Sequence, residues 1–210
     1  MESLLFYKVM SKTYDILDII YFKNKDSNPR KALCQYINQQ DIKILDICTG
    51  TATNVITVAN HKRDAKIVGI DISKEMLSIA SKKVKKTGLE NIKLYQMDAT
   101  NTEFKNNTFD VVLISLVLHE VPEELAEKIL LEAKRVLKPE GRLLVMEWEE
   151  PQSLWKRILF YIIRKLEPKG FEQFLQMDIR LYFEKLGLQI MDMKHCDYTK
   201  VINMKKKVVE

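Results

Sequence analysis

Three short acidic stretches in the chain could each hold part of a ligand. Leu45-Asp46-Ile47-Cys48-Thr49-Gly50-Thr51-Ala52-Thr53 joins an acid to a run of small residues. Such a run lets a ligand approach the backbone closely, and Gly50 can take a positive φ at little cost. Gly69-Ile70-Asp71-Ile72-Ser73 offers a carboxylate that can accept two hydrogen bonds from a ribose diol. Its competing role is to cap the next helix, a job Ser73 can do alone. Tyr95-Gln96-Met97-Asp98-Ala99 offers an acid to an exocyclic amine and a backbone amide to a ring nitrogen. Together the three match the chemistry of a nucleoside.

The elements that must position them are readable in the pattern. Ile42–Ile47 is an almost continuous apolar run, as in a strand buried on both faces. A helix at about 54–60 follows, then a strand over Ala65–Ile70. Ser73–Gly88 reads as a long helix stopped by its glycine. Ile92–Met97 and Phe109–Ser115 read as strands, Pro122–Leu137 as a helix. Lys138-Pro139-Glu140-Gly141 reads as a turn, and Arg142–Glu147 as a fifth strand. This alternation predicts an α/β fold, Rossmann-like and doubly wound, with a parallel sheet covered by helices on both faces. After a helix over Asp178–Leu186, strands over Leu188–His195 and Lys200–Lys206 are joined too tightly for a parallel return. The last strand of the sheet should therefore be antiparallel. Before the core, residues 2–23 show helical periodicity, and Asn28-Pro29 opens a further helix to about Asn38.

In an open α/β sheet, ligands bind beyond the carboxyl ends of the strands, where the strand order reverses. All three acidic stretches fall at such ends. A dinucleotide would call for G-x-G-x-x-G to cradle its pyrophosphate, and the first loop has one glycine. S-adenosylmethionine (SAM), which carries adenine, ribose, a sulfonium and an amino acid but no phosphate, fits better. Asp46 would help hold its cationic end, with Thr49 and the other small residues of the loop alongside.

The segment from about Lys43 to Glu150 resembles the class I SAM-dependent methyltransferases. It is most similar to the small-molecule group that includes the ubiquinone and menaquinone C-methyltransferases. The motifs are Ile44–Ala52, Val68–Ser73, Gln96–Ala99, Asn107–Val112, Leu118–Pro122 and Arg135–Arg142, in the family's order. The resemblance implies a seven-stranded sheet, SAM as cofactor and S-adenosyl-L-homocysteine as product. It implies that Gly50 touches the methionyl part and Asp71 the ribose. Asp98 and Ala99 would touch the adenine, flanked by Ile72 and Met76, with Ser115 near the methionyl group. Tyr14 sits where quinone-type relatives carry an aromatic over the pocket. The family's first motif has glycines where this chain has Cys48 or Thr49, and Ala52.

Methyl transfer is an in-line displacement, and much of its rate can come from orientation. A general base is needed only if the acceptor loses a proton. Candidates are His119, whose pKa suits base work near neutrality, Glu147, Glu149 and Tyr14; of these His119 is the catalytic expectation. No metal site is expected. Residues 151–177 read as an insert. Its helix places Trp155, Ile158, Leu159, Ile162 and Ile163 largely on one face, with Lys156, Arg157, Arg164 and Lys165 around it. That pattern suits a lid over the active site, or peripheral membrane contact through 152–165.

Bulk properties narrow the classes. The 210 residues are 46% hydrophobic, enough for one domain with a large core. Within it the expected parts are N-terminal helices (1–40), a cofactor-binding core (41–150), a lid-like insert (151–177) and a final helix and strand pair (178–210). A net charge of +5, spread over solvated faces, does not point to nucleic acid. The start, Met1-Glu2-Ser3-Leu4-Leu5-Phe6, lacks a secretory pattern. Three scattered cysteines with no C-x-x-C argue against a disulfide framework or zinc and suit a reducing cytoplasm. Three alternatives remain. Nucleic-acid methylation is disfavoured because Ser115-Leu116-Val117-Leu118-His119 stands where an Asn/Asp-Pro-Pro-aromatic stretch would be. A nicotinamide oxidoreductase is disfavoured by the one-glycine loop. The third is a non-catalytic SAM-binding protein.

Overall fold

The computed structural model describes residues 27–167 and 170–207. The expected helix over 2–23 and Tyr14 lie outside these residues. Asn28 caps α1 (Pro29–Gln35), its side chain accepting from the amides of Arg30 and Lys31. The core then alternates as β1 (Lys43–Ile47), α2 (Thr53–His61), β2 (Lys66–Asp71), α3 (Lys74–Thr87), β3 (Ile92–Gln96), β4 (Phe109–Ser115), α4 (Glu123–Val136) and β5 (Leu137–Trp148). The α3 helix starts where Ser73 accepts from the Met76 amide and stops where Gly88 turns left-handed at φ 68°. Three further helices follow, α5 (Leu154–Leu166), α6 (Gly170–Gln176) and α7 (Ile179–Lys185). The strands β6 (Leu188–Cys196) and β7 (Thr199–Lys206) end the described chain.

The sheet order is β3-β2-β1-β4-β5-β7-β6. β1 to β5 are parallel, and β7 runs antiparallel between β5 and β6. This is the doubly wound seven-stranded sheet anticipated above. The order reverses between β1 and β4, so both strands carry helices on both faces. Leu45, Ile47, Val112 and Ile114 pack with α4 and Phe183 on one side. Ile44, Val111 and Leu113 pack with α1 and α2 on the other. That two-sided burial is why these strands read as continuous apolar runs rather than alternating ones.

β5 differs from expectation. Its pairing with β4 begins at Leu137, opposite Phe109, and resumes at Arg142, opposite Val111. The expected turn 138–141 is therefore a bulge inside the strand. A Cβ on Gly141 would stand 2.9 Å from the Asp110 carbonyl oxygen, so the bulge closes only on glycine. Asp110 fastens the same edge: its Oδ2 accepts from the amides of Ile42 and Lys43, and its Oδ1 from Lys138.

The insert also departs from expectation. Phe160 and Ile163 turn inward from α5, joining Trp148, Phe171 and Tyr198 in a separate small core against which Leu159 also packs. Trp155, Ile158 and Ile162 are exposed. The helix has apolar residues on two sides with four cations between and beside them, so periodicity alone could not tell which side packs.

Candidate functional site

Beyond the carboxyl ends of β1 to β5 lies a cavity of about 450 Å³. Thr49, Gly50, Asp71, Ile72, Met76, Asp98, Ala99, Ser115 and His119 all line it. The fold thus brings together, at the switch point, residues read from four separate motifs. Asp46 is the exception among the described cofactor-binding candidates. It is buried behind the loop and does not line the cavity.

The loop after β1 is left-handed at Cys48 (φ 57°), Gly50 (φ 54°) and Ala52 (φ 63°). Non-glycine residues pay about 1–2 kcal/mol for that conformation. The two departures from the family's glycine pattern therefore fall on strained backbone, and of Cys48 and Thr49 it is Cys48 that carries the strain. Thr49 instead donates its amide to the Ile70 carbonyl and its hydroxyl to Asp46 Oδ2, at 2.7 Å. Thr49 fits over β2 because Gly69 is bare there: a Cβ would stand 2.9 Å from the threonine Oγ1. Burial pushes the Asp46 carboxyl up to about 7; the Thr49 hydrogen bond works against that and the charge of Asp71 adds to it.

Asp71 is less free than its sequence suggested. Ser73 does cap α3, yet Asp71 also accepts from the Ser73 amide through Oδ1 and from the Gly50 amide through Oδ2, both at 2.8 Å. Burial raises its pKa, and these backbone bonds resist the rise. The carboxylate thereby ties the β1 loop to the start of α3, with lone pairs left for a ligand. At the next strand end Asp98 is exposed. The Thr100 amide and hydroxyl hold its Oδ1, both at 2.8 Å, and keep its pKa low.

The other end of the cavity is built by side chains. Leu116 ends β4 in a left-handed turn, φ 55°. Glu147, fully buried on β5, reaches under that turn. Its Oε1 accepts from the amides of Val117 and Leu118, and its Oε2 lies 2.6 Å from His119 Nδ1. On the far side His119 Nε2 is 3.4 Å from Glu167 Oε2. Burial alone would lower the pKa of His119; the charge and hydrogen bond of Glu147, then Glu167, override it and push it up to about 10. Glu120 brings another carboxylate within 4.8 Å of these atoms. A pKa raised this far favours the protonated imidazole at neutral pH and works against the base role expected from the sequence. Glu147 and Glu149 do not line the cavity either. Trp148 between them does, while Glu149 pairs with His195 at 2.6 Å.

Arg30, Asn54, Trp148 and Glu167 line the cavity without having been singled out. Arg30 donates to Asn54 at 2.8 Å across a long sequence separation, which no local pattern reveals. Glu167 closes α5, and a break after the apolar run was the only signal for it.

Three features fit SAM. Asp71 and Asp98 stand at neighbouring strand ends with apolar Ile72 and Met76 beside them. Ser115 lines the cavity, and among the described residues its buried Oγ has no hydrogen-bond partner. No glycine-rich cradle calls for a phosphate. Residues 3–166 match the ubiE/COQ5 methyltransferase family. The demethylmenaquinone methyltransferase of a Geobacillus species is 32% identical over 178 residues, covering 80% of this chain and 75% of that one. The Bacillus pumilus enzyme of that name is 34% identical over 161 residues, covering 76% and 68%. Among solved structures, a SAM-dependent methyltransferase from Aquifex aeolicus superposes with a TM-score of 0.73 at 21% identity, covering 94% of this chain and 97% of its own. That likeness speaks for the fold.

Proposed function

The chain belongs to the ubiE/COQ5 methyltransferase family, and from that premise we propose that it methylates a ring carbon of a lipid-tailed hydroquinone. That it is a SAM-dependent methyltransferase of a small molecule follows from the family. The acceptor, the methylated atom and the residue roles are the proposal.

One observation carries it: a single cavity joins a nucleoside-type end, Asp71 and Asp98, to an end lined by His119, Trp148 and Glu167. When bound, SAM supplies a methyl on a sulfonium, which leaves as a neutral thioether. Gly50, Asp71, Asp98 and Ala99 would hold it, with Ile72 and Met76 against the adenine and Thr49, Ser115 and the buried Asp46 toward its amino-acid end. Tyr14 belongs to this proposal on the family resemblance. At the other end Trp148 offers an apolar wall to an aromatic ring. Glu167 is the carboxylate placed to accept a ring hydroxyl's proton, and His119, as a cation, would steady the resulting charge. Once the ring carbon has taken the methyl, its hydrogen leaves as a proton and the oxygen regains one, so one proton is released per methyl transferred. The free thiols of Cys34, Cys48 and Cys196 fit a reducing cytoplasm. Among the described residues no helix is long and apolar enough to cross a membrane.

The test is methyl transfer from labelled SAM to a chemically reduced, prenylated demethylquinone. Label on a ring carbon supports the reading. Label on oxygen, or none despite tight S-adenosylhomocysteine binding, contradicts it.

A further inference from the structure

Helix α5 has two apolar faces, and among the described residues one of them is packed. The inner face, Phe160 and Ile163, packs on Trp148. The outer face carries Leu154, Trp155, Ile158, Tyr161 and Ile162; Trp155 is 82% exposed and Leu154 75%. At about 100° per residue these five form one stripe along the helix. Lys165 lies on the same side, its Nζ 5.3 Å from the Tyr161 ring centroid. Contiguous exposed apolar surface marks an interaction site.

We infer that this outer face of α5 docks on an anionic lipid bilayer, lying in the plane of the headgroups. The helix from Leu154 to Leu166 carries Lys156, Arg157, Arg164 and Lys165 and no acid. Lys156 pairs with Asp197 at 2.6 Å on the inner side, so the cation beside the stripe is Lys165, and it is this lysine together with the lack of acids on the helix that suits an anionic surface. Arg157 and Arg164 engage Glu150 and Glu172 along one flank, so burial of the stripe drives binding and charge adds to it. Trp155 and Tyr161 are the side chain types that settle at the membrane interface. Placement favours the same partner. Glu167, directly after the helix, and Trp148, beneath it, both line the cavity. A docked α5 would set the cavity within about one helix diameter, roughly 10 Å, of the lipid. This surface stands independently of the acceptor's identity, though a lipid-tailed acceptor would gain from it.

The experiment is flotation of the full chain with vesicles of phosphatidylcholine and phosphatidylglycerol in equal parts, and with phosphatidylcholine alone. The protein should float with the mixed vesicles, and several-fold less with the neutral ones. A double variant, Trp155→Glu with Ile158→Glu, should bind the mixed vesicles more than about tenfold more weakly. Its melting temperature and S-adenosylhomocysteine affinity should be unchanged, because both side chains are exposed. Emission from Trp155, isolated against a Trp155→Phe control, should shift to the blue on adding mixed vesicles. The inference is overturned if the wild type stays in solution or if the double variant floats equally well. It is also overturned if the variant dissociates a wild-type dimer instead, which assigns the face to a second copy. Emission already blue without vesicles and unmoved by them would assign it to another part of this chain. Loss of S-adenosylhomocysteine binding in the wild type would count against the cofactor reading and leave this inference to the flotation result.

Discussion

The two ends of the cavity are built from different materials. Around β1 to β3 the acids are held by backbone amides: Gly50 and Ser73 on Asp71, Thr100 on Asp98. Around β4 and β5 a histidine is held between carboxylates from segments far apart in the chain, Glu147 and Glu167. Hydrogen bonds from backbone amides, whose donors do not titrate, set a geometry that changes little with pH while the carboxylates stay ionised. An ion pair drawn from distant segments depends on the protonation of its members and on packing. The cofactor end is thus shaped before any ligand arrives, while the acceptor end can vary with the insert that supplies Glu167.

The largest effect should come from Glu147. Its replacement by alanine strands a buried imidazolium and two amides. Removing one partner of a buried pair costs about 3–5 kcal/mol. Urea denaturation should show a loss of that size; a loss below about 1 kcal/mol would mean that the acceptor end does not rest on this carboxylate.

Asp71→Ala should weaken S-adenosylhomocysteine by roughly ten- to a hundredfold, the worth of one charge-assisted hydrogen bond at about 1.5–3 kcal/mol. Because Asp71 also ties Gly50 to Ser73, a modest drop in melting temperature should accompany it. Unchanged affinity in calorimetry would reduce Asp71 to a purely structural tie.

The comparison also predicts a pH response confined to one end. The folded pKa of His119, about 10, lies above its unfolded value of about 6.5. The folded state therefore binds more protons between these values. Its stabilising contribution is full below about 6.5 and is lost as pH rises toward 10. Melting temperatures should fall across that window, and His119→Asn should remove most of the slope. An identical slope in the variant would place the titrating group elsewhere.

The strand ends that carry Asp71 and Asp98 were legible because a strand followed by an acid and a helix cap is a local pattern. The burial of Asp46 was not, since only the packing of Thr49 against Gly69 closes the loop over it. The His119–Glu147 pair was out of reach for a related reason. The two residues are 28 positions apart, and nothing local says that a β5 side chain passes beneath the turn after β4. The inward face of α5 was ambiguous because the helix is apolar on both sides. Strain at Cys48 was half visible, as a departure from glycine that sequence alone could not assign between Cys48 and Thr49.

That strain gives the smallest effect. Cys48→Gly removes a left-handed non-glycine residue worth about 1–2 kcal/mol, against an entropy cost for glycine of about 0.5–1 kcal/mol. The net should be a gain of at most about 1.5 kcal/mol in denaturation, and a loss would show that the Cys48 side chain contributes packing that outweighs its backbone.

The division of the cavity is tested most directly by one calorimetric series, S-adenosylhomocysteine titrated into the wild type, Asp71→Ala and Glu167→Gln. The account predicts micromolar-range binding to the wild type and to Glu167→Gln alike, with only Asp71→Ala weakened, by at least about tenfold. Equal weakening in both variants, or weakening in Glu167→Gln alone, would contradict it.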